Sequence, residues 1–278
     1  MRIKILATLE ILLAFVLVIV LFAAIGAYLP NTGAIPPLSL RSYVRYGMLL
    51  LLTVVLLVLR RRDLAVYGFS LKDWKPQLRV FGVAFLPVLA VSFALNRFAW
   101  KQVNDVLLIS ILEIGMLFLI AWLLRNRPPA EVGGASGSQN LLPGLLLAPL
   151  AWLAAQGPRP GQAFLSLIYY YLFVGLAEEG FFRGYMQSRL NQAFGQPFRF
   201  FGVSWGWGLV IASLAFAAWH IVWNPANLAG WLHGLWTFFA GLIFGYVREK
   251  SRGVLAPALL HGVLNYSPFG FLFDLFGL

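Results

Sequence analysis

The sequence predicts an all-α fold, a polytopic transmembrane helical bundle of about eight to nine spans, counting runs near the roughly 20 apolar residues that a spanning helix needs. Three observations carry this reading. Of the 278 residues, 60% are hydrophobic and only 11% are charged. A soluble domain carries about 25% charged residues, so this chain cannot cover a water-facing surface. Mean hydropathy is +0.81. The apolar runs are long and do not alternate, which excludes a membrane β-barrel with its alternating segments of about 10 residues. In lipid the backbone must satisfy its own polar groups within helices or closed barrels, so helices remain.

The elements follow in order. Ile5–Leu29 is longer than the 7–15-residue apolar core of a signal peptide, and its "AIGAYLP" end is a weak cleavage-like site, so it is read as an anchor. Tyr43–Leu59 stops at Arg60, Arg61 and Arg62; Leu78–Leu95 and Val106–Leu124 flank a short polar connection. "RNRPPAEVGGASGSQN" (125–140) is rich in Pro, Gly and Ser and reads as a loop. Leu141–Ala155 and Trp205–His220 are short, so either is read as a span or as a partial or re-entrant helix. Phe164–Leu190, Leu228–Val247 and Val254–Phe276 complete the set. No internal repeat is visible.

Charge gives an orientation. With nine spans, fifteen Lys and Arg fall on one side, in the N-terminus and the second, fourth, sixth and eighth connections. Five fall on the other: Arg41, Arg45, Arg97, Lys101 and Arg159. The positive-inside rule then places the N-terminus in the cytoplasm and the C-terminus outside. The net charge of +11 suits a protein facing anionic lipid, and no nucleic-acid partner is expected. The absence of cysteine excludes disulfides, thiolate ligands and a cysteine nucleophile.

Ionisable residues within spans are rare, face the bundle interior and mark function. Here they cluster late, as Glu178, Glu179, Arg183, His220, His233 and His261. In "AEEGFFRG" (177–184), Glu179 and Arg183 are four apart and share a helix face. Glu178 points about 100° away, free for chemistry. Gly180 and Gly184 form a small-xxx-small pattern that lets another helix approach. "FAAWH" (216–220) sets His220 one turn after Phe216, and "HGVLN" (261–265) sets His261 and Asn265 on one face. Taken singly, these read as an ion pair that fixes packing, an interfacial histidine and interhelical polar glue. His233 reads as a packed histidine hydrogen-bonded to a backbone group or a Trp neighbour. Glu10 receives no role, Glu113 needs a core partner that the sequence does not name, and Asp274 falls at the far interface.

As a set the residues say more. A buried glutamate can take a proton from water near neutral pH, and imidazole can share that task. His and Asn donors can stabilise the oxyanion of a tetrahedral intermediate, at roughly 3–4 kcal/mol per donor in one protease. These are the parts of an amide hydrolase that attacks with water.

"EExxxR", "FxxxH" and "HxxxN", in that order on successive apolar segments, resemble the CPBP family of CAAX proteases and bacteriocin-processing (Abi) proteins, whose eukaryotic relatives are the type II CAAX prenyl endopeptidases. The resemblance covers roughly Phe164 to Phe276. It implies a glutamate-dependent intramembrane endopeptidase acting on a membrane-associated peptide or protein. By position, it implies Glu178 as general base, His220 as the residue that binds and polarises the attacking water, His261 and Asn265 around the oxyanion, and Glu179 with Arg183 in support. Residues 141–278 would then be the catalytic core, and residues 1–140 hold N-terminal helices of unassigned role.

The family was earlier classed as metalloproteases, and Glu178, His220 and His261 could supply a zinc site of the His₂Glu kind. "HExxH" is absent and the three would come from separate helices, so the expectation is no cofactor. The absence of a retention tail suggests a prokaryotic plasma membrane. Two other function classes fit intramembrane Glu, His and Arg: a proton-coupled transporter and a non-catalytic membrane scaffold. Against a transporter, no repeated halves or paired broken helices are visible.

Overall fold

The apolar runs resolve into eight helices and one small hairpin among the residues that the computed structural model describes, namely 2–30, 36, 39–70, 74–97, 102–127, 129, 159–268 and 274. The helices are α1 (Arg2–Tyr28), α2 (Leu40–Leu59), α3 (Trp74–Arg97), α4 (Val103–Leu124), a composite helix α5 (159–194), α6 (Trp207–Ile221), α7 (Leu228–Ser251) and α8 (Leu255–Asn265). Six of them, α1 to α5 and α7, are long and apolar enough to cross a membrane, and α6 and α8 are shorter apolar helices. The chain is an integral membrane protein with the fold of a helical bundle. The expected segment Leu141–Ala155 lies outside the described residues. The expected Val254–Phe276 is described as helix to Asn265.

Between α5 and α6, Phe198–Phe200 pairs antiparallel with Val203–Trp205. Phe201 and Gly202 form the two-residue turn, with φ of 45° and 77°, the backbone that right-twisted hairpins favour.

α5 changes hydrogen-bond register along its length. α-Helical turns at Arg159–Leu167, Gly175–Glu179 and Ser188–Phe194 alternate with π-helical stretches at Ile168–Val174 and Gly180–Gln187. A π turn bonds i to i+5, re-aims the side chains after it, and occurs frequently at functional sites. Glu178 and Glu179 sit in the short α turn between the two.

Two apolar clusters hold the bundle. One joins Ile11, Val18 and Phe22 of α1 and Leu49 and Leu57 of α2 to Phe181 and Phe182 of α5 and Phe216 and Trp219 of α6. The other joins α3, α4, α7 and α8, with Ile120, Phe244 and Leu260 fully buried. Lipid tails are as apolar as Leu, so close packing rather than exclusion of water drives such association. The aromatic edges contribute: Phe182 meets Phe216 edge-on at 5.2 Å, a contact worth about 0.5–1.5 kcal/mol beyond its area.

Basic residues that the sequence assigns to alternate connections gather at one end of the bundle. Arg248 Nη2 donates to the Val66 carbonyl at 2.9 Å, and Lys250 Nζ donates to the Arg127 carbonyl. Gln187 and Asn191 donate to Glu249 there, at 2.7 and 2.8 Å. Glu10, given no role from sequence, accepts from Arg189 at 3.0 Å and from Tyr185 at 3.2 Å, tying α1 to α5. Glu113 is fully buried in α4, and neither carboxyl oxygen has a hydrogen-bond partner among the described residues. Asp274 accepts from the Tyr266 hydroxyl.

Candidate active site

The motif helices reach one another because small residues let backbones approach. A Cβ on Gly175 of α5 would collide with the Ala258 carbonyl of α8, and one on Gly262 would collide with the Tyr171 ring. α8 is also anchored from α3. Gln77 Oε1 accepts the Leu255 N–H at 2.9 Å, satisfying one of the four free donors at a helix start. Ser92 Oγ donates to the Val263 carbonyl at 3.0 Å. These contacts fix the height of His261 against α5.

The small-xxx-small pair behaves differently from expectation. A Cβ on Gly184 would come within 2.9 Å of the Phe69 ring, and one on Gly180 within 3.1 Å of the same ring. Phe69 belongs to the connection after α2, so the groove admits a phenyl ring rather than a helix. The ring is flat enough to fill it without forcing two backbones together.

Glu179 is the hub. Its Oε1 accepts from Arg183 Nη1 at 3.2 Å and from His261 Nδ1 at 2.8 Å, and Arg183 Nε lies 3.2 Å from Oε2. Both Glu179 and Arg183 are fully buried. Burying two charges costs several kcal/mol per ion, offset only when they are paired and hydrogen-bonded. The Arg183 guanidinium also lies over Phe216, 4.3 Å from the ring centroid, a favourable cation–π contact. A carboxylate only accepts, so the proton of His261 sits on Nδ1 and the Nε2 side faces the reaction space.

That Nε2 lies 3.8 Å from Glu178 Oε2. The separation is too long for a hydrogen bond and short enough for one water to touch both. Glu178 Oε2 is buried and has no hydrogen-bond partner among the described residues. The side chains of Tyr46 and Trp219 lie beside Glu178. Phe244 stacks on His261, with centroids 5.2 Å apart and planes at 11°.

His220 joins through Phe216. Its Nδ1 lies 2.8 Å from the Phe216 carbonyl; a carbonyl only accepts, so Nδ1 carries the proton and Nε2 keeps a lone pair. The Phe216 ring touches both imidazoles, at 4.7 Å from His220 and 5.7 Å from His261. His233 packs between His220, at 4.7 Å, and the stacked Trp236, at 5.3 Å. The Trp beside His233 is a stacking partner, and His220 is a neighbour that the sequence did not show.

The structure therefore brings Glu178, Glu179, Arg183 and His261 together and sets His220 against the same Phe216 ring that His261 touches. Asn265 stands exposed at the last residue of α8, one turn beyond His261. Tyr46 and Trp219 were missed from sequence. Trp219 was readable as the neighbour of His220; Tyr46 carries no local signal, because its place beside Glu178 depends on how α2 packs.

The His₂Glu zinc arrangement does not fit this geometry. Among the described residues no three His, Asp or Glu side chains are grouped to hold a metal ion.

One family model matches this region. Residues 160–267 match the family Type II CAAX prenyl endopeptidase Rce1-like. The match contains all six motif residues, and it is the family the motifs resemble. The Rce1-like region begins with α5 and ends just after α8, so it spans the helices that build the site. It supports a CAAX-type protease acting on a peptide or protein substrate in the membrane. No curated protein and no solved structure matches the chain.

Proposed function

We propose that the chain is an intramembrane endopeptidase in which Glu178 and His220 activate a water molecule for attack on a peptide bond. The observation that carries this reading is the buried Glu178 Oε2, 3.8 Å from the imidazole of His261 and without a hydrogen-bond partner of its own among the described residues. The water gives its proton to Glu178 as its oxygen bonds to the carbonyl carbon. The Nε2 lone pair of His220 holds and polarises that water. The carbonyl oxygen takes negative charge as the tetrahedral intermediate forms. The donors for it are Asn265 and His261, whose Nε2 donates when the ring carries a proton on both nitrogens, with Glu179 accepting from Nδ1. When the C–N bond breaks, Glu178 returns the proton to the leaving amine, so it serves in turn as base and acid. Glu179, held by Arg183, keeps a proton on His261 Nδ1 and orients the ring.

Residues 141–278 form the catalytic part in this reading. Residues 1–140 buttress it, since α1 and α2 pack on the carboxylate-bearing helix and α3 holds α8. Reaction without a metal, a cytoplasmic N-terminus and a prokaryotic plasma membrane complete the proposal. Comparing membrane-peptide pools from cells carrying the parent or Glu178→Gln tests it. New peptide termini that depend on Glu178 support hydrolysis. Identical pools, together with proton flux in proteoliposomes, would favour a transporter.

A further inference from the structure

Arg41 and Arg45 lie one turn apart on α2, at the end of the bundle where α1 finishes. A Cβ on Gly26 of α1 would collide with Nη2 of both, so these atoms are at most about 5 Å apart, the separation of neighbours on one helix face. Arg45 is held there: Nε and Nη2 donate to the Phe22 carbonyl at 3.2 and 3.0 Å, and the guanidinium lies 5.7 Å from the Phe22 ring and 6.0 Å from the Trp223 ring. Among the described residues no carboxylate forms an ion pair with either arginine. Two partly buried guanidinium groups pressed together repel each other, and an anion between them removes that repulsion. Arginine's planar fork matches a carboxylate with two parallel bonds.

The pair is connected to the catalytic carboxylate by an aromatic wall. Phe22 meets Trp219 edge-on at 4.6 Å and Tyr46 at 5.9 Å, and Trp219 and Tyr46 are the side chains beside Glu178. Tyr46 directly follows Arg45 in α2.

We propose that Arg41 and Arg45 form a subsite for the free α-carboxylate of a peptide substrate, so that the enzyme measures its cut from the substrate's C-terminus. The proposal deepens the endopeptidase reading above and rests on it. A CAAX tail has three residues beyond its cysteine, and three extended residues reach at most about 11 Å, so the carboxylate of such a tail would be bound within that distance of the scissile bond. A lipid phosphate has similar oxyanion chemistry. The peptide is favoured because Arg45 lies against the Phe22 ring, which continues through Trp219 and Tyr46 to Glu178.

The test uses the full-length protein carrying Glu178→Gln, so that substrate is not consumed, in phosphatidylcholine nanodiscs. Two probes are titrated: a prenylated peptide with a free C-terminal carboxylate, and the same peptide as its amide. The acid is expected to bind at least about tenfold more tightly, the ratio that about 1.4 kcal/mol gives. Adding Arg41→Gln and Arg45→Gln together is expected to bring the ratio close to one. Arg41→Gln alone, which leaves the Arg45–Phe22 bonds intact, should lower it and serves if the double variant does not fold. Equal or undetectable binding of the two probes, or a preference that survives loss of both arginines, overturns the proposal. So does an arginine-dependent response to phosphatidylglycerol nanodiscs without acid preference, which would assign the pair to lipid. Cleavage by the parent is measured alongside. If it cleaves neither peptide, the endopeptidase reading fails, while the acid-to-amide ratio still reports on the subsite.

Discussion

Glu179 Oε1 lies 2.8 Å from His261 Nδ1, joining residues 82 positions apart on α5 and α8. The same carboxylate holds Arg183. One buried acid thus orients an imidazole while its charge is balanced by a guanidinium.

Glu179→Gln should therefore damage the reaction more than binding. The amide can present either an oxygen or an NH₂ to Nδ1, so the tautomer of His261 is no longer fixed. kcat is expected to fall about 100-fold or more, since the equivalent change in a serine-protease triad costs about 10⁴. KM should change little. A steady-state comparison of the two constants checks this, and an unchanged kcat would remove the orienting role.

Arg183→Met leaves Glu179 buried without its guanidinium. Losing one partner of a buried pair typically costs roughly 3–5 kcal/mol, so thermal unfolding in detergent should shift clearly downward. The double variant Glu179→Gln/Arg183→Met should recover part of that stability without recovering activity. Equal stability of the single variant and the parent would mean that the pair is not needed for folding.

The sequence showed part of this. Glu179 and Arg183 pair at the helical spacing that predicted them, and the three motifs lie on helices that pack together. Spacing within a helix does not show what crosses between helices. The contact from His261 to Glu179 was therefore not legible, nor was the pairing of Glu10 with Arg189. Gly180 and Gly184 read as a place for another helix to approach, but what fills it is Phe69, in a connection with no periodicity. The π-helical stretches around Glu178 leave no simple sequence mark. Asn265, placed by its motif beside the oxyanion, stands exposed one turn past His261.

Gly175→Ala should displace α8, because the new methyl would press on the Ala258 carbonyl. His261 would move with the helix, and a shift near 1 Å can cost about 100-fold in rate. Gly82→Ala is the control, since a Cβ there meets nothing within 4 Å. Cleavage rates of the two variants check this; equal rates would show that the close approach does not position the site.

Chelators should leave activity intact. Among the described residues no three His, Asp or Glu side chains group as metal ligands, whereas a zinc hydrolase typically uses three protein ligands. Preincubation with EDTA or phenanthroline, followed by a peptide-cleavage assay, checks it. Loss of activity that added zinc restores would contradict the metal-free reaction.

The most direct measurement is the cleavage rate of a prenylated CAAX-type peptide by purified parent, Glu178→Gln and His220→Gln proteins in the same nanodiscs, each shown to be folded by its unfolding curve. The account predicts cleavage by the parent, with each variant slower by about 10²–10⁴-fold, the span of a general acid–base contribution. Folded variants that cleave as fast as the parent would contradict it.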